Sequence, residues 1–235
     1  RAERALAGVM TFAIAAHASG GGYGAYHRWE MYIVAATLIT VLWLERRPIR
    51  ALADRASPVR VGAMAGAWCL VLAGRYIFGL STVPLAANNI FEQQYQMHRF
   101  VTQFERRPVA ANDIGWVSYR NLNVVLDLVG LGSEGFVSDD GGAVRVEALQ
   151  RAVENRRIEV AMLYDEWVPQ LPPGWRRMGE LRLSRPKITP AFETVAFYAT
   201  GVGSYEDALR RWESFRATLP PRVGSMSGTD STRAE

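Results

Sequence analysis

Three apolar runs dominate the first eighty residues, and short polar segments separate them. The runs cover residues 5–18, 29–44 and 61–80. Each is at or just below the roughly 20 residues that carry a helix across the hydrocarbon core of a bilayer. The pattern therefore predicts three transmembrane helices within residues 1–81. An alternative for the first run is a signal peptide, because Ala16-His17-Ala18 resembles a small-residue cleavage site.

The segment between the second and third runs, residues 45–60, is rich in arginine. Basic loops between membrane helices stay on the cytoplasmic side. Only Glu45 and Asp54 oppose the arginines, so the sequence predicts a cytoplasmic loop, with the chain after residue 81 outside the cytoplasm. The basic residues are Arg46, Arg47, Arg50, Arg55 and Arg60.

Residues 82–223 show a different pattern, in which short β-branched and aromatic runs are interspersed with helical periodicity. The alternation predicts an α/β domain outside the cytoplasm. The small, polar tail 224–235 is expected to be disordered. Predicted helices cover 85–104, 146–156 and 204–217, and predicted strands cover 108–111, 116–119, 124–129, 158–164, 178–184 and 194–199.

The composition limits the partners of the chain. The net charge is +4, but nearly all the basic residues are arginines, with Lys187 the one lysine. They are spread along the sequence without aromatic residues between them on one face, so no nucleic-acid partner is expected. Cys69 has no second cysteine to pair with, and the three histidines lack the spacing of metal ligands, so no metal site is expected either.

Catalytic motifs do not stand out in the sequence: it contains no phosphate loop, nucleophile elbow or zinc-binding helix pattern. Two acids, Asp113 and Asp127, lie beside the strand-like runs of residues 116–119 and 124–129. One interpretation is that both carboxylates accept backbone N–H bonds in turns. The other is that they accept hydrogen bonds from the hydroxyls of a sugar.

Several stretches resemble the C-terminal extracytoplasmic domain of bacterial multi-pass glycosyltransferases of the GT-C fold. They are IFEQQYQMHRFVTQF (90–104), PVAANDIGWVSYRNLNVVLDLVGL (108–131), LPPGWRRMG, TVAFYA and FRATLPPRV (215–223). Nearer the N-terminus, GAYHRWEMYIVA (24–35) is similar to an outer-loop pattern of that family at Arg28, Glu30 and Tyr32, with Trp29 where tyrosine is usual. The resemblance covers nearly the whole chain.

The resemblance implies a parent enzyme of the bacterial inner membrane that transfers a sugar from a polyprenyl-phosphate donor to a cell-envelope glycan or lipid acceptor. The partners it implies are the lipid bilayer, the donor and the acceptor. No cofactor is implied for this chain. The catalytic acid of that family lies in a first outer loop that has no counterpart here. The catalytic residues are therefore expected outside this chain, which by itself should be inactive.

The substrate-binding residues expected in this chain are Arg28, Glu30, Tyr32 and Asp113. Arginine suits a lipid phosphate because its planar guanidinium donates two parallel hydrogen bonds. Arg28 and Glu30 have an alternative role as headgroup-facing charges at a helix end. Two other functions remain open for the chain as a whole: a membrane-anchored module that binds glycan or protein without catalysis, and a soluble α/β enzyme behind a signal peptide.

Overall fold

The computed structural model describes residues 2–20, 31–55, 57–129, 146–168 and 170–227. The chain divides into two compact units, Arg1–Thr82 and Val83–Glu235. This division lies one residue from the boundary expected between residues 81 and 82.

The described part of the first unit is helical. Contacts between its helices include the Glu3–Arg46 ion pair at 3.1 Å and the approach of His17 Nδ1 to the Tyr32 hydroxyl at 2.7 Å. Most of the arginine-rich segment predicted as a loop is helical. The helices are α1 (Ala2–Gly20), α2 (Met31–Leu44), α3 (Arg46–Arg55) and α4 (Pro58–Glu92), the last of which continues into the second unit.

No helix among the described residues is both long and apolar enough to cross a membrane. The apolar helix α2 has 14 residues, or about 21 Å at the rise of an α-helix, short of the roughly 30 Å of a bilayer core. Glu3 and Arg4 open α1, while glycines and two arginines interrupt the apolar stretch of α4. The predicted fold, about three transmembrane helices followed by an extracytoplasmic α/β domain, is therefore wrong. The location outside the cytoplasm stays a prediction.

The second unit contains a mixed six-stranded sheet with the strand order β2-β1-β3-β5-β4-β6. Strand β1 is parallel to β2 and β3, and the other neighbours are antiparallel. The strands are β1 (Val109–Ala111), β2 (Val125–Asp127), β3 (Val160–Leu163), β4 (Arg176–Arg182), β5 (Thr194–Ala199) and β6 (Gly224–Ser227).

Helices pack on this sheet and connect its parallel strands. After α4 come α5 (Gln94–Arg99), a π-helix (Phe100–Glu105) and α6 (Ile114–Ser118). They are followed by α7 (Val146–Asn155), a 3₁₀ turn (Asp165–Trp167) and α8 (Tyr205–Arg216).

Two local predictions for this unit are wrong. The run 116–119, expected as a strand, lies in α6 and the turn after it, where the chain crosses between the parallel strands β1 and β2. The start of the tail expected to be disordered forms β6, which pairs with the edge of β4. A side chain at Gly224 would collide with the Arg182 carbonyl, so glycine permits this pairing. Residues 228–235 lie outside the described part of the chain.

Each face of the sheet carries its own hydrophobic core. Along β3, Val160 and Met162 point to one face, and Ala161 and Leu163 point to the other, as strand alternation requires. The first core contains residues of α5, the π-helix and α8, and the second contains residues of α7. The largest members of the first core are Met97, Phe100, Phe197, Trp212 and Phe215.

Trp212 lies at the centre of the first core. Its apolar neighbours in sequence, Leu209 and Phe215, predict burial, and the structure confirms it with 0% exposure. The indole packs on Phe197 with ring centroids 4.5 Å apart, and it occupies the space that a side chain at Gly179 would need.

Truncation of this indole should leave a large cavity. We expect Trp212→Ala to lower the free energy of unfolding by about 3–5 kcal/mol, the usual cost of removing a buried aromatic side chain. Chemical denaturation measures the change, with Trp116→Ala as the matched control because Trp116 is 40% exposed. Equal losses in the two variants would contradict this packing.

An ion-pair network ties the π-helix to α8 and to Glu159, the residue before β3. Arg211 donates to Glu105 at 2.7 Å and to Glu159 at 2.8 Å, and Glu159 also pairs with Arg107 at 2.6 Å. The Glu105 side chain is fully buried. Burial raises the pKa of Glu105 above its ordinary value, and the hydrogen bond and charge of Arg211 offset this only in part. Arg211 therefore stabilises a buried carboxylate.

Removal of Arg211 should leave the buried Glu105 carboxylate without its partner. We expect Arg211→Ala to lower the free energy of unfolding by about 3–5 kcal/mol at neutral pH. A glutamate whose pKa is raised in the folded state weakens folding as the pH rises above its unfolded pKa of about 4.3. The loss should therefore shrink as the pH falls toward that value.

The adjacent Arg210→Ala serves as control for this pH-dependent unfolding experiment. Arg210 pairs with Asp207 on the exposed side of α8, so its loss should change stability by less than about 0.5 kcal/mol. A loss in Arg211→Ala that does not depend on pH would contradict the role assigned to Glu105.

Candidate functional site

The order of the parallel strands identifies one edge of the sheet as a candidate site. The chain leaves β1 toward β2 on one side and returns past β1 to β3 on the other. In open sheets, ligands bind outside the carboxyl ends of the strands where the strand order reverses in this way. Asn112 and Asp113 follow β1 at this position, and Tyr164 follows β3.

The junction of α4 and α5 brings two glutamines to this edge. At this junction Gln93 has distorted helical dihedrals, φ −117° and ψ −78°, while its N–H still bonds to the Asn89 carbonyl. Both Gln93 and Gln94 are buried. The Gln93 amide nitrogen donates to the carbonyls of Phe192 and Glu193, while its oxygen accepts the Tyr164 hydroxyl at 2.8 Å. Gln93 thus fixes the position of Tyr164.

Asp113 is held by one of its two carboxylate oxygens. Oδ2 accepts the Gln94 side-chain amide at 2.9 Å and lies 3.5 Å from the Tyr164 hydroxyl. Oδ1 receives no hydrogen bond from the described residues. Asp113 precedes α6, but its side chain makes no capping bond there. One oxygen orients the carboxylate, and the other remains available as an acceptor.

Burial beside Asp113 determines the protonation state of Tyr164. Burial raises the pKa of Tyr164 well above its ordinary value, and the negative charge of Asp113 raises it further. The phenol therefore stays protonated and acts as a hydrogen-bond donor. It can hold a neighbouring oxygen in place, but it does not serve as a base near neutral pH.

Further polar atoms at this edge have no hydrogen-bond partner within the described ranges. They are Oε1 of Gln94 and both Oδ1 and Nδ2 of Asn112. Gln94 is 3% exposed and Asn112 is 6% exposed. A buried polar atom without a partner costs about 1–3 kcal/mol. Their concentration at a strand-order reversal therefore indicates a place where a polar ligand or water completes the hydrogen bonding.

Two other acids at the same edge differ from Asp113. Asp127 is buried, and its Oδ1 accepts the backbone N–H of Val129 at 2.9 Å, so it has the turn-forming role. Asp165 accepts Arg177 at 2.8 Å and the Tyr198 hydroxyl at 2.9 Å, one on each oxygen. The turn-forming interpretation thus holds for Asp127 and fails for Asp113.

Exposed aromatic rings follow β1 and β3 at this edge. Trp116 lies in α6 and is 40% exposed. Trp167, in the 3₁₀ turn after β3, is 42% exposed, and its ring meets the Tyr164 ring edge-on at 5.3 Å. Exposed rings beside hydrogen-bonding groups suit ligands that have both apolar faces and hydroxyls.

An open cleft of about 580 Å³ lies elsewhere, between α7 and residues 170–173. Its central amide is already paired: Gln150 accepts the Trp175 indole N–H at 2.9 Å and donates to Glu154 at 2.8 Å. The carboxyl edge at Asp113, with its unpaired buried atoms, is the stronger candidate for binding.

The four residues expected to bind substrate fall in different parts of the chain. Arg28 and Glu30 lie outside the described residues. Tyr32 is exposed on α2 in the first unit, where its hydroxyl meets His17. Asp113 lies in the second unit, at the carboxyl edge. For Arg28 and Glu30, a donor-binding role stays a prediction.

Sequence analysis did not identify Gln93, Gln94, Asn112 or Tyr164. One signal was present: Gln94 lies in the stripe of Ile90, Met97 and Val101, where a helix that faces a core normally carries apolar residues. Nothing local in the sequence indicates that Tyr164 meets Asp113, since 51 residues separate them.

Comparison with known proteins gives one family. The sequence pattern of a domain of unknown function, DUF8728, matches residues 88–208. This range includes Gln93, Gln94, Asp113 and Tyr164. No curated protein and no solved structure matches the chain at a significant level.

The raised pKa of Tyr164 predicts a distinctive titration. We expect Tyr164→Phe to leave the ultraviolet phenolate titration of the folded protein unchanged up to about pH 11, because this hydroxyl does not ionise where ordinary tyrosines do, near pH 10. In denaturant, the same variant should lose one tyrosine in nine. If the folded Tyr164→Phe variant had one fewer tyrosine ionising near pH 10 than wild type, burial of the hydroxyl against Asp113 would be contradicted.

Proposed function

We propose that this chain, which belongs to the DUF8728 family, binds a saccharide at the carboxyl edge of its parallel strands. The observation that carries the proposal is the arrangement around Asp113. Oδ2 is fixed by Gln94, and Oδ1 has no hydrogen-bond partner among the described residues. The neighbouring Gln94 Oε1 is also buried and unpaired within those residues. Asp113 Oδ1 thus offers an oriented acceptor for a ligand rich in hydroxyl groups.

The chemistry of the edge favours a saccharide over other polar ligands. A carboxylate and an amide oxygen both accept hydrogen bonds, so the ligand must supply donors, as sugar hydroxyls do. The Asn112 amide nitrogen supplies a donor for a hydroxyl oxygen. An exposed indole such as that of Trp167 suits the apolar face of a sugar ring.

In the complete protein, we propose that this saccharide is the acceptor of a glycosyl transfer. The donor would be a polyprenyl-phosphate sugar, and the product a cell-envelope glycan or lipid. The similarity of residues 90–104 and 108–131 to the GT-C glycosyltransferase domain supports this wider function, and both stretches contribute to the Asp113 edge. The base that deprotonates the acceptor hydroxyl would lie outside this chain.

Binding of oligosaccharides by the full chain tests the proposal. Wild-type protein should bind members of a panel of bacterial cell-envelope oligosaccharides immobilised on a surface. Asp113→Asn should weaken this binding about tenfold to a hundredfold, because hydrogen bonds to charged groups contribute about 1.5–3 kcal/mol. Affinities from titration calorimetry on the bound oligosaccharides provide the measurement.

The matched control for this binding experiment is Asp207→Asn. Asp207 is an exposed acid of α8 whose side chain pairs with Arg210, so its variant loses the same charge away from the edge and should bind normally. Equal affinity in Asp113→Asn and wild type would contradict the saccharide site.

A non-enzymatic glycan-binding module would use the same edge, so binding alone does not separate it from a transferase. Transfer of a labelled sugar from polyprenyl phosphate by the complete protein does. Loss of this transfer in Asp113→Asn, with normal expression, would support the acceptor role. Binding of the oligosaccharide without any sugar transfer by the complete protein would favour the non-enzymatic glycan-binding module.

A further inference from the structure

The opposite, amino edge of the parallel strands carries a row of arginines. Arg106 precedes β1 by 3 residues, Arg120 precedes β2 by 5 and Arg157 precedes β3 by 3. Neighbouring strands lie about 4.8 Å apart. The three arginines therefore lie in the segments that lead into the amino ends of neighbouring strands, and all three side chains are exposed.

All three arginines adopt a backbone conformation that favours glycine. Their φ angles are 52°, 49° and 51°, and they are the non-glycine residues with positive φ in the described structure. Glycine adopts this left-handed region without the steric penalty that other residues meet there. The backbone alone would favour glycine at each position, so the repeated choice of arginine points to a role for the charge.

Nearby acids do not neutralise this row. Glu159 is paired with Arg107 and Arg211, and the buried Glu105 is paired with Arg211. Arg106, Arg120 and Arg157 form no ion pair with any residue of the described ranges. The amino edge therefore presents uncompensated positive charge to solvent.

Apolar side chains stand beside these charges. Leu122 is fully exposed, Val124 is 55% exposed and Tyr119 is 52% exposed. Arg120 lies over the Tyr119 ring at 5.4 Å. A soluble polyanion would pair with the arginines and leave Leu122 and Val124 in water. A lipid surface takes both kinds of side chain, since its anionic headgroups attract arginine and its acyl boundary accepts leucine, valine and tyrosine.

We infer that the amino edge formed by Arg106, Arg120, Arg157, Tyr119, Leu122 and Val124 is a docking surface for anionic phospholipid. The arginines of this surface lie at the opposite end of the strands from Asp113, while Tyr119 also contacts Trp116 of α6, with ring centroids 5.6 Å apart. Contact is peripheral: the arginines pair with headgroup phosphates, and Leu122 inserts at the headgroup boundary.

Co-sedimentation of the full chain with lipid vesicles tests this inference. The probes are phosphatidylcholine vesicles with and without about one third phosphatidylglycerol, and the measured quantity is the gain in binding that the anionic lipid produces. We expect the triple variant Arg106→Gly, Arg120→Gly and Arg157→Gly to lose about 100-fold of the partition coefficient on anionic vesicles, or about fivefold per arginine.

Glycine is the replacement of choice because it fits the left-handed conformation, so the triple variant should fold and melt within a few degrees of wild type. The control variant, Arg182→Ala with Arg210→Ala and Arg222→Ala, removes three exposed arginines elsewhere and should retain most of the gain. Any vesicle binding by apolar side chains of the first unit is common to all variants. A second variant, Leu122→Ser, should weaken binding several-fold at unchanged charge.

Three results would overturn the inference. The first is an equal gain on anionic vesicles in the triple glycine variant and wild type. The second is wild-type binding that does not depend on phosphatidylglycerol. The third is binding to an anionic oligonucleotide or oligosaccharide under conditions where anionic vesicles bind none of the protein, because this would assign the row of arginines to a soluble polyanion.

Discussion

The parallel pairing of β1 with both β2 and β3 determines where the functional groups of the second unit lie. β1 has only three residues, Val109–Ala111, and all three are fully buried between its two partners. Because the three strands run in the same direction, the chain segments that follow them meet at one edge and those that precede them meet at the other. The Asp113 site and the row of arginines are the two consequences.

The carboxyl edge also depends on the junction of α4 and α5 at Gln93. Both Gln93 and Gln94 are buried at this junction, where the Gln93 dihedrals are distorted from those of a regular helix. The Gln93 side-chain amide donates to the carbonyls of Phe192 and Glu193, just before β5, and accepts the hydroxyl of Tyr164, just after β3. The π-helix that follows α5 is a rare structure that is frequent near functional sites.

The local sequence pattern predicted several helices and strands of the second unit well, but it did not predict the structure of the first unit or the contacts of the candidate site. The strand at 194–199 has the predicted bounds, and β3 and α8 lie within their predicted ranges, because buried alternation and a serine N-cap are local signals. The membrane prediction is wrong because the apolar runs of the first unit form helices that are too short, or too interrupted by polar residues and glycine, to cross a membrane. The candidate site was predictable only at Asp113, since its partners are joined by tertiary contacts.

A saccharide bound at the carboxyl edge would lie against the buried side-chain amides of Gln94 and Asn112. Side-chain amide resonances of Gln94 and Asn112 report on this directly in a nuclear magnetic resonance titration with an oligosaccharide that the protein binds. We expect saturable shifts of these two amides, with no shift for the exposed amides of Gln103 and Asn155. Shifts confined to residues away from this edge would contradict it.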